Sequence, residues 1–343
     1  MSVKEKLIDS SKRNREKLLK KIAEPKKVKS NPKKGSRNIQ YEELLKDDEF
    51  CMEIAGFLPT EFDELFNNVK IFLVGRSVVG TGRKSTIDEQ DMLVILLCYL
   101  HRSMTNRSLS LEFGFKKAYL STLIPNLLER LEFFAENVMR GVLEQYLTNR
   151  KEFESFPNCL IATDCTLINH PPPGKLASFD EQKNYFSPKH GRYGYKFMAF
   201  VSADGFCVYA SPLFKGSVHD VDILREDEQN VKKIWVEGTS VLGDTGFVGQ
   251  VPIPMILPFK QPINGVLTRQ QDEFNLTVAR ERVLIENFFG RLKVKWPAIE
   301  KAVRVQVDRL ASFVRIVVAL TNLDLKARPL RRQCRELNSQ QVI

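Results

Sequence analysis

Apolar residues recur at helical spacing through the first 150 residues of the chain. Residues 41–70 predict two amphipathic helices, and residues 87–102 predict one strongly apolar helix. Residues 106–113 predict a short helix, and a further helix follows it. Pro125 is expected to kink or end that further helix, because proline lacks a backbone N–H, so that residues 126–150 would form a separate connecting helix. This half of the chain is therefore predicted to be helical throughout.

The period of the pattern changes from residue 158 onwards. The stretch NCLIATDCT predicts a short apolar strand that ends at Asp164. Two β-rich runs between residues 194 and 214 join at Asp204–Gly205, which is a hairpin signal. The remaining elements are a helix in GSVHDVDILRED, strands in SVLGD and MILPF, and helices over 268–296 and 305–325. This order predicts a mixed α/β domain with a mixed five-stranded sheet.

The helix pair around Gly114 has the outline of a helix-turn-helix, since a glycine-containing turn joins two short helices. The second helix would present Lys116, Lys117 and Tyr119, which suit DNA phosphates and base edges. An ordinary three-helix bundle would produce the same pattern, so the residues alone leave both interpretations open.

Basic charge is concentrated in one tail. Residues 1–40 hold 14 basic and 4 acidic side chains, which account for the whole net charge of +10. Such a segment is expected to be disordered and to favour polyanions. PKKVK at 25–29 and PKKGSR at 32–37 are typical of a bipartite nuclear-import signal, and they also suit direct contact with nucleic acid. A merely solubilising tail remains the alternative.

Other classes of protein fit the sequence poorly. The six cysteines are scattered without a CxxC pair, which argues against a disulfide framework and a structural zinc site. The longest apolar runs are about half of what a membrane span needs, and the N-terminus lacks the apolar core of a secretory signal. No membrane association is therefore expected.

The predicted order of strands and helices suggests that three acids lie close together. Asp164 and Asp244 follow two strands whose C-terminal ends become neighbours if the crossover is right-handed. Glu286 lies on the long helix, beside an apolar stripe. Carboxylates grouped there could hold divalent cations for phosphoryl displacement. Asp244 also suits a plain turn, and Glu286 also suits an i,i+4 pair with Arg282 on a solvated face.

A series of motifs in this order resembles the nuclease domain of PIF/Harbinger-type transposases, within the RNase H-like DDE superfamily of endonucleases. The motifs are DCT (164–166), YFSPKHGRYGYK (185–196), GSVHD (216–220), LGDTGF (242–247), ILPF (256–259), RVLIENFFGRLK (282–293) and LTNLDL (320–325). Upstream, GRKSTIDEQDMLVILLCYLHRSMTNRSLSLEFGF is similar to the helix-turn-helix that precedes this nuclease domain. The resemblance covers roughly residues 75–326.

The resemblance implies an RNase H-like core whose catalytic triad is Asp164, Asp244 and Glu286. It also implies that Asp220 is a fourth ligand of Mg²⁺ or Mn²⁺, although Ser217-x-x-Asp220 is equally a helix-capping pattern. The implied activity is cleavage of phosphodiester bonds at transposon ends and their transfer to target DNA. A host-recruited DNA-binding or adaptor protein without transposition activity is the alternative, and a small-molecule metal phosphatase is a third.

The predicted organisation has four parts: a basic tail (1–40), a helical DNA-binding domain (41–150), a nuclease domain (151–330) and a C-terminal tail (331–343). We expect a nuclear protein that forms homo-oligomers on DNA, since pairing two DNA ends needs at least a dimer, and the resemblance implies a Myb-like partner protein. The residues expected to contact DNA are Lys116, Lys117, Tyr119, Lys189, Arg192, Lys196, Arg282, Arg291 and Lys293.

Overall fold

A computed structural model describes residues 41–73, 87–172, 178–300 and 305–330 of the protein. The predicted basic tail with its import signal and the predicted C-terminal tail lie outside these described residues. The predictions for those two segments therefore stay predictions.

Helices form the whole first part of the described chain, as the periodicity predicts. They are α1 (Tyr41–Leu44), α2 (Asp48–Ala55), α3 (Pro59–Leu73), α4 (Glu89–His101), α5 (Asn106–Phe113) and α6 (Lys117–Asn149). Asp88 caps α4 by accepting a hydrogen bond from the backbone of Asp91, and Gly114 ends α5 in the left-handed conformation, at φ 70°.

Helix α6 does not end at Pro125, which was one of the two predicted effects of this proline, because it runs from Lys117 to Asn149 through that residue. Its leucines on both sides of the proline continue a single buried stripe, among them Leu120, Leu123, Leu127 and Leu128. Burial of that stripe offsets the hydrogen bond that proline removes. The separate connecting helix predicted over 126–150 is therefore the second half of α6.

The sheet contains all five predicted strands and two further strands of two residues each. In chain order they are β1 (Cys159–Asn169), β2 (Phe186–Ser187), β3 (Arg192–Ser202), β4 (Cys207–Ala210), β5 (Phe214–Lys215), β6 (Ser240–Leu242) and β7 (Met255–Ile256). The main path is β2-β3-β1-β6-β7, while β4 and β5 pair with β3. Strand β1 is antiparallel to β3 and parallel to β6, so the sheet is mixed, as predicted.

Five helices and one short turn accompany the sheet. The helices are α7 (Phe179–Lys183), α8 (Asp220–Glu226), α9 (Glu228–Ile234), α10 (Arg269–Lys295) and α11 (Val307–Ala327), and a 3₁₀ turn spans Thr245–Phe247. Thr268 and Gln271 form a capping box that starts α10 close to where the sequence predicts.

Two hydrophobic clusters lie on opposite faces of the sheet. Ala162 and Ala199 point into the larger cluster, which α10, α11 and the first helices complete. Ile161 and Met198 point into the smaller cluster, together with α8 and α9. Helix α6 contributes to both clusters, so residues on either side of the predicted 150/151 boundary share a core. Within the part of the chain that the structure describes, no helix is both long and apolar enough to cross a membrane.

Candidate metal centre

Strands β1 and β6 place Asp164 and Asp244 at equivalent positions. Their parallel pairing ends at Ala162 and Leu242, and each acid follows two residues later. The prediction that Asp164 ends its strand is wrong, because β1 remains paired with β3 as far as Asn169. Asp164 instead lies where β6 leaves β1, which opens the edge of β1 beside the acid.

Asp220 approaches from a helix rather than from a strand. It is the first residue of α8, and neither it nor Ser217 forms a capping bond there: His219 occupies the N-cap position without a side-chain hydrogen bond. The Ser217 hydroxyl donates instead to the carbonyl of Asn184, over 2.7 Å. The predicted Ser217–Asp220 capping box is therefore absent, and the Asp220 carboxylate is directed to other partners.

The three aspartates form one cluster. Asp164, Asp220 and Asp244 each offer a carboxylate oxygen within 4.8 Å of the others. Glu286 is not a member of this cluster; it is exposed on α10 and lines a groove of about 640 Å³ with Asn287, Gly290, Arg291, Arg328, Pro329 and Leu330. The structure thus brings three of the four predicted ligands together, and the role of Glu286 stays a prediction.

A basic side chain holds each of two carboxylates of the cluster. Asp164 accepts from the backbone N–H of Cys165 at 2.7 Å and from Nη2 of Arg282 at 3.2 Å. Asp220 accepts from Nζ of Lys196 at 3.1 Å, and burial together with the nearby Asp220 carboxylate raises the pKa of the Cys165 thiol. These contacts orient two acids from opposite faces of the sheet toward the same point.

Asp244 combines the two roles that its sequence context suggests. Its Oδ1 accepts from the backbone N–H of Gly246 at 2.7 Å and so starts the 3₁₀ turn. The same carboxylate belongs to the acidic cluster. The turn therefore fixes the orientation of the acid without removing it from the cluster.

The cluster perturbs its own ionisation. The pKa of Asp164 is raised to about 6, chiefly by burial; the Arg282 guanidinium acts to lower it, and the neighbouring Asp244 carboxylate acts to raise it. A carboxyl group that is costly to ionise beside two other acids gains most from a bound cation.

The donor set fits a hard divalent cation. Carboxylate oxygens are the ligands that Mg²⁺ and Mn²⁺ prefer, and Mg²⁺ needs only a few of them because it keeps several waters. Arg282 and Lys196 supply positive charge to the same acids within the protein. Both residues were predicted to contact DNA, whereas the structure pairs them with Asp164 and Asp220.

The other predicted DNA contacts fall into two groups. Lys116, Lys117, Lys189 and Arg192 are exposed, and Tyr119 is half-buried against the ring of Phe115. Arg291 instead pairs with the buried Asp324 at 2.7 Å, and Lys293 pairs with Glu300 at 3.0 Å. Burial lowers the pKa of His190, and the charges of Lys189, Lys196 and Lys293 lower it further against the opposing effect of Asp220.

Cys165 and Gly246 also lie at the cluster, although neither was predicted to be a site residue. Cys165 follows Asp164 directly, but the alternation of β1 turns its thiol to the other face of the sheet, where Asp220 lies. Gly246 stands two residues after Asp244 and packs against both Asp244 and Asp220. Its position inside the LGDTGF motif was the signal that could have identified it.

Comparisons with known proteins agree with this geometry. Residues 163–322, which contain all three clustered acids and Glu286, match the family described as DDE superfamily endonuclease. A protein from Microchaete diplosiphon named "Probable transposase for insertion sequence element IS702" is 22% identical over 217 residues, which cover 62% of this chain and 72% of the relative. No solved structure matches this chain significantly. Both matches support a transposase-like nuclease.

Proposed function

We propose that this protein is a Mg²⁺- or Mn²⁺-dependent DNA endonuclease of the PIF/Harbinger transposase type. It cuts phosphodiester bonds at the ends of a mobile element and joins those ends to target DNA. The observation that carries the proposal is the cluster of Asp164, Asp220 and Asp244, which lies in the segment that matches DDE superfamily endonucleases.

The acids have distinct parts in this proposal. Asp164, Asp220 and Asp244 hold the cation, and Glu286 completes the ligand set when DNA is bound. The cation supplies Lewis acidity to the phosphoryl oxygens and lowers the pKa of bound water. In the first step water attacks the phosphorus and the 3′ oxygen leaves. In the second, the freed 3′-hydroxyl attacks a target phosphodiester, whose own 3′ oxygen leaves.

Basic surfaces bind the nucleic acid in this proposal. Lys189 and Arg192 are exposed on or next to β3 and are proposed to contact DNA phosphates. Lys116 and Lys117 at the start of α6 are proposed to hold DNA in the manner of a helix-turn-helix. The basic tail adds salt-dependent affinity that does not depend on sequence.

The wider setting is proposed from the same resemblance. The basic motifs at 25–37 direct the protein to the nucleus. A homo-oligomer pairs two DNA ends, and a Myb-like protein supplies further recognition of the element.

Nicking of a supercoiled plasmid with Mg²⁺ or Mn²⁺ tests the activity. Wild-type protein should nick, and Asp164→Asn, Asp220→Asn, Asp244→Asn and Glu286→Gln should each lose activity by roughly a hundredfold or more. Asp222→Asn is the matched control, since Asp222 lies in the same first turn of α8 but pairs with Arg225 at 2.8 Å. It should nick like the wild type.

The same assay separates the competing functions. DNA binding without cation-dependent cleavage on any site tried would favour the host-recruited DNA-binding protein. A phosphatase would keep its activity on a small phosphomonoester after removal of residues 1–40, whereas a DNA nuclease should lose cleavage steeply at higher salt without them.

A further inference from the structure

Arg282 is incompletely bonded where it meets the acidic cluster. Only 12% of its side chain is exposed, and Nη2 lies 3.2 Å from Oδ2 of Asp164. That distance is long for a charge-assisted pair, which ordinarily measures about 2.7–2.9 Å. The Nε of Arg282 is buried and has no hydrogen-bond partner in the structure. A buried N–H without an acceptor costs free energy. The guanidinium therefore has one donor group, Nε–H, that could bind a further acceptor.

Lys196 is bonded differently. Its ammonium donates to the carbonyl of Val218 at 2.9 Å and to Oδ1 of Asp220 at 3.1 Å. Moving it would leave a backbone carbonyl and a carboxylate unpaired together, so it is a fixed partner of Asp220. Of the two basic side chains that are bonded to the acids, Arg282 is the one that can leave.

We propose that Arg282 is an exchangeable counter-charge that couples cation binding to DNA binding. A divalent cation bound to Asp164 would neutralise the negative charge of this carboxylate and would repel the positively charged guanidinium. Arg282 then donates Nε and Nη2 to a DNA phosphate, the bidentate geometry that a guanidinium favours. This inference rests on the proposed function, since it places a cation and a phosphate at the same centre. Arg282 would thus contact Asp164 in the free protein and a DNA phosphate in the complex.

Coupling of this kind must be reciprocal. If a cation tightens DNA binding, then DNA tightens cation binding by the same factor. Without DNA, Arg282 instead competes with the cation for Asp164. Replacing Arg282 with glutamine should therefore tighten cation binding to the free protein and remove the mutual reinforcement.

The test uses the full chain and a fluorescein-labelled duplex of random sequence. DNA affinity is measured by anisotropy with Ca²⁺ and with EDTA, and the recovered DNA is checked for cuts. Wild-type protein should bind DNA about tenfold more tightly with Ca²⁺, within the usual range of coupling between sites. In Arg282→Gln the ratio should fall to about one, and calorimetry without DNA should show tighter Ca²⁺ binding than in the wild type.

Two further variants make the result decisive. Arg280→Gln removes the same charge from an exposed position on the same helix, so it should weaken DNA binding equally with and without Ca²⁺ and keep the wild-type ratio. Arg282→Lys keeps the positive charge but cannot donate two parallel hydrogen bonds, so its ratio of DNA affinities with and without Ca²⁺ should be smaller than that of the wild type. If Arg282→Gln fails to fold, the comparison of Arg282→Lys with the wild type replaces it.

The outcomes separate this inference from the function on which it rests. A wild-type ratio of one, or full coupling retained in both Arg282 variants, overturns the exchange. Absence of any DNA or cation binding by the wild-type protein would overturn the proposed function as well.

Discussion

Gly246 lies directly between two acids of the cluster: a β-carbon at this position would be 2.8 Å from Oδ1 of Asp244 and 3.2 Å from Oδ2 of Asp220. The glycine therefore determines how closely the 3₁₀ turn and the start of α8 approach each other. Any side chain at position 246 must move at least one carboxylate.

We expect Gly246→Ala to weaken Mn²⁺ binding about tenfold, which corresponds to a displaced ligand costing about 1.4 kcal/mol. Calorimetric titration of the metal-free protein measures this. Gly141→Ala on α6 is the matched control, because a β-carbon there meets no atom within 4 Å. It should leave Mn²⁺ affinity unchanged. Unaltered affinity in Gly246→Ala would mean that Asp220 and Asp244 do not bind the same ion.

Cation binding should depend on pH with a midpoint near 6. Burial raises the pKa of Asp164 to about 6, so the folded protein holds this proton more tightly than the unfolded chain does. Without a cation, the folded protein therefore loses stability as the pH rises from about 4 to about 6. A cation binds only the ionised carboxylate, so below pH 6 it competes with the proton. Mn²⁺ affinity should fall about tenfold per pH unit below 6 and be level above it. A midpoint near the ordinary value of about 4 would contradict the effect of burial.

The ion pair of Lys196 and Asp220 should contribute strongly to stability, because both side chains are only 10% exposed. Lys196→Met leaves the Asp220 charge buried and unpaired, so we expect the free energy of unfolding to fall by about 3 kcal/mol. Lys196→Met combined with Asp220→Asn should recover most of that loss.

Urea denaturation of the single and double variants measures this coupling. The exposed pair of Lys232 and Glu228 on α9 provides the control, and Lys232→Met should change the free energy of unfolding by no more than about 0.5 kcal/mol. Equal losses at positions 196 and 232 would show that Asp220 does not depend on its lysine.

Asn322 should be essential for stability rather than for chemistry. It is fully buried on α11; its Oδ1 accepts from the backbone N–H of Cys207 at 2.9 Å, and its Nδ2 donates to the carbonyl of Cys207 at 2.8 Å. Asn322→Ala leaves both groups of β4 unpaired, so we expect a loss of about 2–4 kcal/mol. Thermal unfolding measures this loss of stability. The control is Asn68→Ala, because Asn68 is an exposed asparagine on α3; it should lower the free energy of unfolding by less than about 0.5 kcal/mol.

The order of strands and helices was predictable because each element has its own periodicity. Hairpin β3–β4 turns at Asp204–Gly205, and Gly205 has the positive φ of 90° that the turn requires. The position of Asp164 within β1 was not predictable from the apolar run, because the continuation of β1 is stabilised by β3, a strand more than twenty residues away in sequence. Local propensity carries no information about such a partner.

The acids of the site were easier to find than the residues that hold them. Asp164 and Asp244 each stand two residues beyond the paired part of β1 and β6, so their proximity follows from topology. Arg282 and Lys196 looked like DNA contacts, since a basic residue near an anionic ligand suggests a phosphate. Their pairing with Asp164 and Asp220 depends on which faces of α10 and β3 turn inward, which spacing alone leaves open.

The unbroken course of α6 through Pro125 has a geometric consequence for cleavage. Its 33 residues give it a length of about 50 Å, at about 1.5 Å per residue. Lys116 and Lys117 stand at one end, while Val142 and Tyr146 near the other end pack under the sheet that carries the acids. If Lys116 and Lys117 hold DNA as proposed, that DNA lies about 40 Å along one continuous helix from the point where the helix meets the sheet, at about 1.5 Å per residue. Cleavage would then occur at a fixed distance from the DNA held at these two lysines.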